Sequence, residues 1–94
     1  MRLHQTEIKT IKETILSLDE SAEIYIFGSR ADSTLKGGDI DILVLSKSLS
    51  FDDKLKIKQM IFETLEEQKI DLLIARDTSS PFVRMALKKG VRIE

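Results

Sequence analysis

The sequence predicts an α+β (mixed α/β) domain, a small sheet covered by helices in the order α-β-β-α-β-α. Three observations carry this expectation. Ile8, Ile11, Ile15 and Leu18 recur at steps of three and four, the period of a helix with one buried stripe. Three short runs, at 23–27, 39–45 and 70–74, are rich in apolar residues of the β-branched and aromatic kind. Gly28, Gly37-Gly38, Ser80-Pro81 and Gly90 punctuate the chain between these runs.

Taken in order, the first helix covers about 6–18 and is broken by the polar Asp19-Glu20-Ser21-Ala22. The first strand, 23–27, ends at Gly28. Ser29 then suits the N-cap of one short helical turn, with Asp32 three residues on. A loop with Lys36 and two glycines leads to the second strand, 39–45, which is apolar on both sides of its carboxylates and reads as central in the sheet. Ser50 and Asp53 have the spacing of a capping box, and Asp52 and Asp53 favour the positive end of the helix they open. Ile57, Met60, Ile61 and Leu65 form its expected buried stripe, with Lys54, Lys56, Lys58, Glu63, Glu66 and Glu67 elsewhere on its surface. The third strand is 70–74. Ser80 caps a last helix over 81–89 with Pro81 at its first position, and Gly90 stops it. Val91-Arg92-Ile93 either adds an edge strand or packs as a tail.

The chain has 94 residues, 41% of them hydrophobic, which suits one small domain over 1–94 with no repeat or linker. The 15 basic and 16 acidic side chains nearly cancel to a net charge of −1, so no overall attraction to nucleic acid or anionic membrane is expected. The absence of cysteine excludes disulfides, thiolate metal sites and cysteine nucleophiles. Residues 1–5 lack the apolar core of a signal peptide, and no apolar run approaches the roughly 20 residues of a membrane span. A cytoplasmic protein is the expectation.

Asp39 and Asp41 are separated by one isoleucine, so in a strand they share one face while Ile40 and Ile42 take the other. Like charges so placed repel one another and lose hydration unless a cation lies between them. A divalent ion with oxygen ligands answers that need. Asp71 sits likewise in an apolar run, and if its strand lies beside the second, three carboxylates come within reach of one or two magnesium ions. Such a site suits nucleotidyl transfer, in which magnesium bridges triphosphate oxygens and offsets their charge. The plain alternative makes Asp39 a turn residue after Gly37-Gly38 and Asp71 a strand-edge acid. Gly28 and Ser29 fit a phosphate cradle: a glycine lets the backbone approach an anion, and the amides of a following turn point at it. A simple strand-to-helix turn with a serine cap is the other reading. His4, the one histidine, reads as a surface residue.

Gly28-Ser29, nine further residues and then Asp39-Ile40-Asp41 resemble the signature of the DNA polymerase β-like nucleotidyltransferase superfamily. Phe27-Gly28-Ser29-Arg30-Ala31 is especially similar to its minimal nucleotidyltransferase (MNT) branch, as is the ending Lys89-Gly90-Val91-Arg92-Ile93. The chain departs from many MNT sequences at Ser33, where glycine is common nearby, and at Gly38, where serine is common. Neither change removes a ligand. The resemblance implies a small polymerase β-like sheet. It further implies nucleotide phosphates held by Gly28 and Ser29 with Arg30 alongside, magnesium or manganese held by Asp39 and Asp41, and Asp71 completing the metal site and helping to deprotonate the acceptor.

MNT proteins of this kind are commonly the antitoxins of HEPN-domain ribonuclease toxins, and members with an intact motif add AMP from ATP to a tyrosine of that toxin. A protein adenylyltransferase with a HEPN partner is therefore the expected function. The alternative is a non-catalytic antitoxin that neutralises a HEPN toxin by occlusion. A small-molecule acceptor fits less well, because aminoglycoside nucleotidyltransferases carry further helical elements.

Overall fold

The spacing of Ile11 and Ile15 is realised as α1 (Gln5–Leu18), a helix that buries both side chains and leaves Lys9 and Glu13 on its outer side as an exposed i,i+4 pair 3.9 Å apart. In this computed structural model residues 5–28, 40–64 and 70–93 are described. They contain α1, β1 (Glu23–Phe27), β2 (Ile40–Leu45), α2 (Phe51–Thr64), β3 (Ile70–Ala75), α3 (Pro81–Lys89) and β4 (Val91–Ile93). The predicted order is present, and the last three-residue run resolves as an edge strand. His4, the turn expected at 29–32, the loop with Lys36, and Leu65 lie outside the described residues.

The four strands form one sheet in the order β3-β2-β1-β4. β1 runs antiparallel to β2 and to β4, whereas β2 and β3 are parallel. A parallel neighbour needs a crossover, and α2 supplies it. β2 is interior, as its apolar character on both faces predicts, with Ile40, Ile42, Leu43 and Val44 all fully buried.

Strand alternation divides the core in two. Ile24, Ile26, Ile40, Ile42, Val44, Ile70, Leu72 and Ile93 face α1 and α2, which contribute Ile11, Ile15, Ile57 and Ile61. On the other face Leu43 meets Val83 and Ala86 of α3, with Tyr25, Phe27, Leu45, Leu73, Ala75 and Leu87 around them. The first cluster is the larger. α3 packs on this second face, the one on which Asp41 and Asp71 stand.

Local signals hold α2 and α3 in place. The Ser50 N–H donates to Asp53 Oδ2 at 2.9 Å and the Asp53 N–H donates to Ser50 Oγ at 3.2 Å, the reciprocal capping box expected from the sequence. Ser80 is the N-cap of α3 with Pro81 following, but its side chain makes no capping bond. Two stripe positions are corrected, and the first is Leu18, 38% exposed at the end of α1 instead of buried. Met60 is 44% exposed instead of buried, because α2 buries a narrow i,i+4 stripe, Ile57 and Ile61, and Met60 falls beside it. Gly90 ends α3 as the sequence predicts: its φ is −81°, its N–H donates to Ala86 O at 2.7 Å, and an added Cβ would meet that oxygen at 2.7 Å and Ile26 O at 3.1 Å. Glycine is needed there for close approach to β1.

The opposite end of the sheet is tied by Ser46, which is buried. Its N–H donates to Ala75 O at 2.9 Å and its hydroxyl donates to Asp19 Oδ2 at 2.5 Å, while Oγ accepts from the Ser48 and Leu49 amides at 3.2 and 3.1 Å. The end of α1 is thereby joined to the ends of β2 and β3. The hydrogen bond from Ser46 is the main reason the Asp19 carboxyl lies below the usual carboxylate range.

Candidate active site

Three consecutive strands bring Phe27, Asp41 and Asp71 into one row. Phe27 is the register partner of Asp41 across the antiparallel β1–β2 pair, and Asp41 is the register partner of Asp71 across the parallel β2–β3 pair. In-register neighbours on adjacent strands lie about 4.8 Å apart and point to the same face. Asp41 and Asp71 therefore stand side by side on the face that carries α3. Asp41 is half-buried and Asp71 is exposed. The adjacency expected of the second and third strands is present, and so is the matching face.

Gly28 closes the row at the end of β1. Its φ of +70° is a left-handed conformation that L side chains rarely adopt. A Cβ built at this position would run into the Asp41 carboxylate, meeting its Cγ at 3.0 Å. The glycine is thus required both by its own backbone and by the carboxylate packed against it. The exposed main chain at Gly28 stands against the Asp41 carboxylate, with Asp71 one strand beyond, a surface on which a phosphate and a hard cation can approach the protein together.

Ser29, Arg30 and Asp39 lie outside the described residues. Among the described residues no group of three metal-capable side chains occurs, and the carboxylate pair is Asp41 with Asp71. The donor chemistry of that pair fits magnesium or manganese, which take carboxylate oxygen, and the bare Gly28 backbone fits the phosphates that accompany such an ion.

Other polar groups are arranged differently. Tyr25 lies two residues before Phe27 on the same face, its hydroxyl donates to Glu23 Oε1 at 3.0 Å, and burial is the main cause that raises its pKa. Arg92 approaches Glu23 at 3.6 Å. A cleft of about 670 Å³ opens at the far end of the sheet, lined by Asp19, Glu23, Ser46, Lys47, Arg76 and Asp77 among others, and takes in none of the row.

One neighbour of the row was not legible in the sequence. Phe82 of α3 meets Phe27 edge to face, with ring centroids 6.0 Å apart and planes at 82°. Nothing local connects residues so distant in the chain, although the apolar positions on the solvent side of the last helix were a signal that it carries a second surface.

Residues 9–94 match the family described as polymerase beta, nucleotidyltransferase. No curated protein matches the chain. Among solved structures, a toxin–antitoxin complex with AMP-PNP contains a chain that is 23% identical, with a TM-score of 0.76 over 93% of this chain and 72% of that one. A tri-AMPylated Shewanella oneidensis HEPN toxin in complex with its MNT antitoxin gives 22% identity and a TM-score of 0.75 over 98% and 72%. An MntA–HepT toxin–antitoxin complex gives 22% and 0.73 over 97% and 72%. At these identities the likeness to the solved structures is one of fold.

Proposed function

The chain belongs to the polymerase β nucleotidyltransferase family, and from that membership we propose that it is a magnesium-dependent protein adenylyltransferase, an antitoxin that transfers AMP from ATP to a tyrosine hydroxyl of a HEPN-domain partner. One relative of the same fold is an antitoxin bound to an AMPylated HEPN toxin, and another toxin–antitoxin complex holds AMP-PNP. The observation that carries the reading is the packing of Gly28 against Asp41 with Asp71 as its in-register neighbour.

In this reading 1–94 is a single minimal nucleotidyltransferase domain working in the cytoplasm. Gly28 and Ser29 offer backbone amides and a hydroxyl to the triphosphate, and Arg30 adds positive charge beside it. Asp39, Asp41 and Asp71 provide the carboxylate oxygens that hold magnesium or manganese. Bound there, the metal supplies charge neutralisation at the triphosphate and a lowered pKa at the attacking hydroxyl. Asp71 accepts the proton of the acceptor hydroxyl. The acceptor oxygen bonds to the α-phosphorus, the bond from that phosphorus to the bridging oxygen breaks, and pyrophosphate leaves.

The test is to incubate the protein with ATP, magnesium and its HEPN partner and to weigh the partner by intact-mass spectrometry. An AMP-sized increment with wild type, absent with Asp41→Asn and with Asp71→Asn, is the expected result. Toxin neutralisation without any increment would support occlusion instead.

A further inference from the structure

The solvent side of α3 carries an exposed apolar pair beside a row of cations. Val83, Ala86 and Leu87 turn inward to the second core cluster. Phe82, Met85 and Lys89, at i, i+3 and i+7, therefore form an outward stripe, and Arg84 and Lys88, themselves i and i+4, run along one side of it. Phe82 and Met85 are each 49% exposed. The segment 81–93 contains Arg84, Lys88, Lys89 and Arg92 and no acidic residue, in a chain whose net charge is −1. Arg92 is offset by Glu23, whereas Arg84, Lys88 and Lys89 have no ion-pair partner among the described residues. Lys88 and Lys89 also suit the negative end of the helix. That accounts for neither Arg84 nor the exposed Phe82 and Met85 beside the cations.

We propose that this face of α3 is the docking surface for the acceptor protein, and that it takes an acidic amphipathic element of that protein, with apolar side chains seated on Phe82 and Met85 and carboxylates facing Arg84, Lys88 and Lys89. The inference rests on the adenylyltransferase reading and deepens it. Its ground is position. α3 packs on the sheet face that carries Asp41 and Asp71, and Phe82 touches Phe27, the register partner of Asp41. A partner seated on α3 thus abuts the carboxylate row, as it must if its hydroxyl is to come within about 3.5 Å of the α-phosphate. The rival apolar patch, Phe51, Leu55 and Phe62 on α2, is more exposed at 71%, 51% and 60%. It belongs to a helix on the opposite face, so the sheet would stand between a protein docked there and the carboxylates. Phenylalanine, methionine and arginine are among the side chains enriched at protein interfaces, and complementary charge sets association rate and specificity.

The experiment uses the full chain and its HEPN partner. Phe82→Ser with Met85→Ser, and separately Lys88→Glu with Lys89→Glu, are compared with wild type in three measurements: thermal shift with magnesium and ATP, partner affinity by calorimetry at low and high salt, and the AMP increment on the partner. A photo-crosslinking amino acid placed at Met85, and in a control at Phe62, reports contact directly. The inference expects unchanged thermal shifts, partner binding weakened about tenfold or more in both double variants, a smaller salt dependence in the charge-reversed one, and crosslinks from position 85. Wild-type affinity in both variants, or crosslinks from position 62 alone, overturns the docking surface while leaving the enzymatic reading intact. Absence of any wild-type complex or AMP increment overturns both. If the variants lose affinity for a labelled single-stranded RNA and keep it for the partner, the surface serves nucleic acid and the inference is likewise overturned.

Discussion

Gly28 and Asp41 occupy space that a single additional carbon would make incompatible: the Cβ of any other residue at 28 would collide with the Asp41 carboxylate. Gly28→Ala is therefore expected to cost stability twice, about 1 to 2 kcal/mol for a left-handed L residue and a further increment for displacing Asp41. Chemical denaturation measures the combined cost. Calorimetry with ATP and magnesium is expected to show nucleotide binding weakened by about tenfold or more, since about 1.4 kcal/mol is a factor of ten. Normal binding by the alanine variant would mean that this glycine is no phosphate cradle.

Asp41 and Asp71 are neighbours across a parallel pair, so a cation held between them links two strands. Magnesium or manganese with ATP should raise the melting temperature, because a ligand bound to the folded state alone stabilises it by mass action. Asp41→Asn should remove most of that increment. Thermal scans with and without metal read it, and an undiminished increment would place the metal elsewhere.

Ser46 and Asp19 give a pH-dependent prediction. The Asp19 carboxyl is held below the usual carboxylate range, chiefly by the Ser46 hydroxyl, so its contribution to stability is present above about pH 4 and is lost as the pH falls through the folded-state pKa. Ser46→Ala should cost about 1 to 3 kcal/mol at neutral pH, because it also strips an acceptor from the buried Leu49 amide. The gap between variant and wild type should narrow below pH 4 and not close, since the amide bonds to Ser46 Oγ do not titrate. Denaturant titrations across pH 3 to 7 follow the gap, and a constant difference would show that Asp19 takes no part.

Ile42 is fully buried in the interior strand, one residue beyond Asp41 and on the opposite face. Ile42→Ala should destabilise the fold by about 2 to 5 kcal/mol. Ile61→Val, which removes one methylene from α2 in the same cluster, should cost about 0.5 to 1.5 kcal/mol. Chemical denaturation ranks the two, and equal costs would contradict a core centred on β2.

The strands, the helix boundaries at Pro81 and Lys89 and the Ser50–Asp53 capping box were all legible in the chain. Each depends on side-chain periodicity or on turn chemistry within a few residues, where local sterics and hydrogen bonding decide the outcome. What only the tertiary structure decided involves partners far apart in sequence. The parallel register that sets Asp41 against Asp71 depends on how α2 crosses over. The exposure of Met60 depends on how narrow a stripe the packed helix can bury, and the addition of 91–93 to the sheet edge depends on β1 being free to pair there. The contact of Phe27 with Phe82 depends on which face of the sheet α3 comes to cover. Periodicity says that a helix has an inside; the packing of the whole chain determines what that inside meets, and so which of its remaining side chains are left facing outward beside the carboxylates.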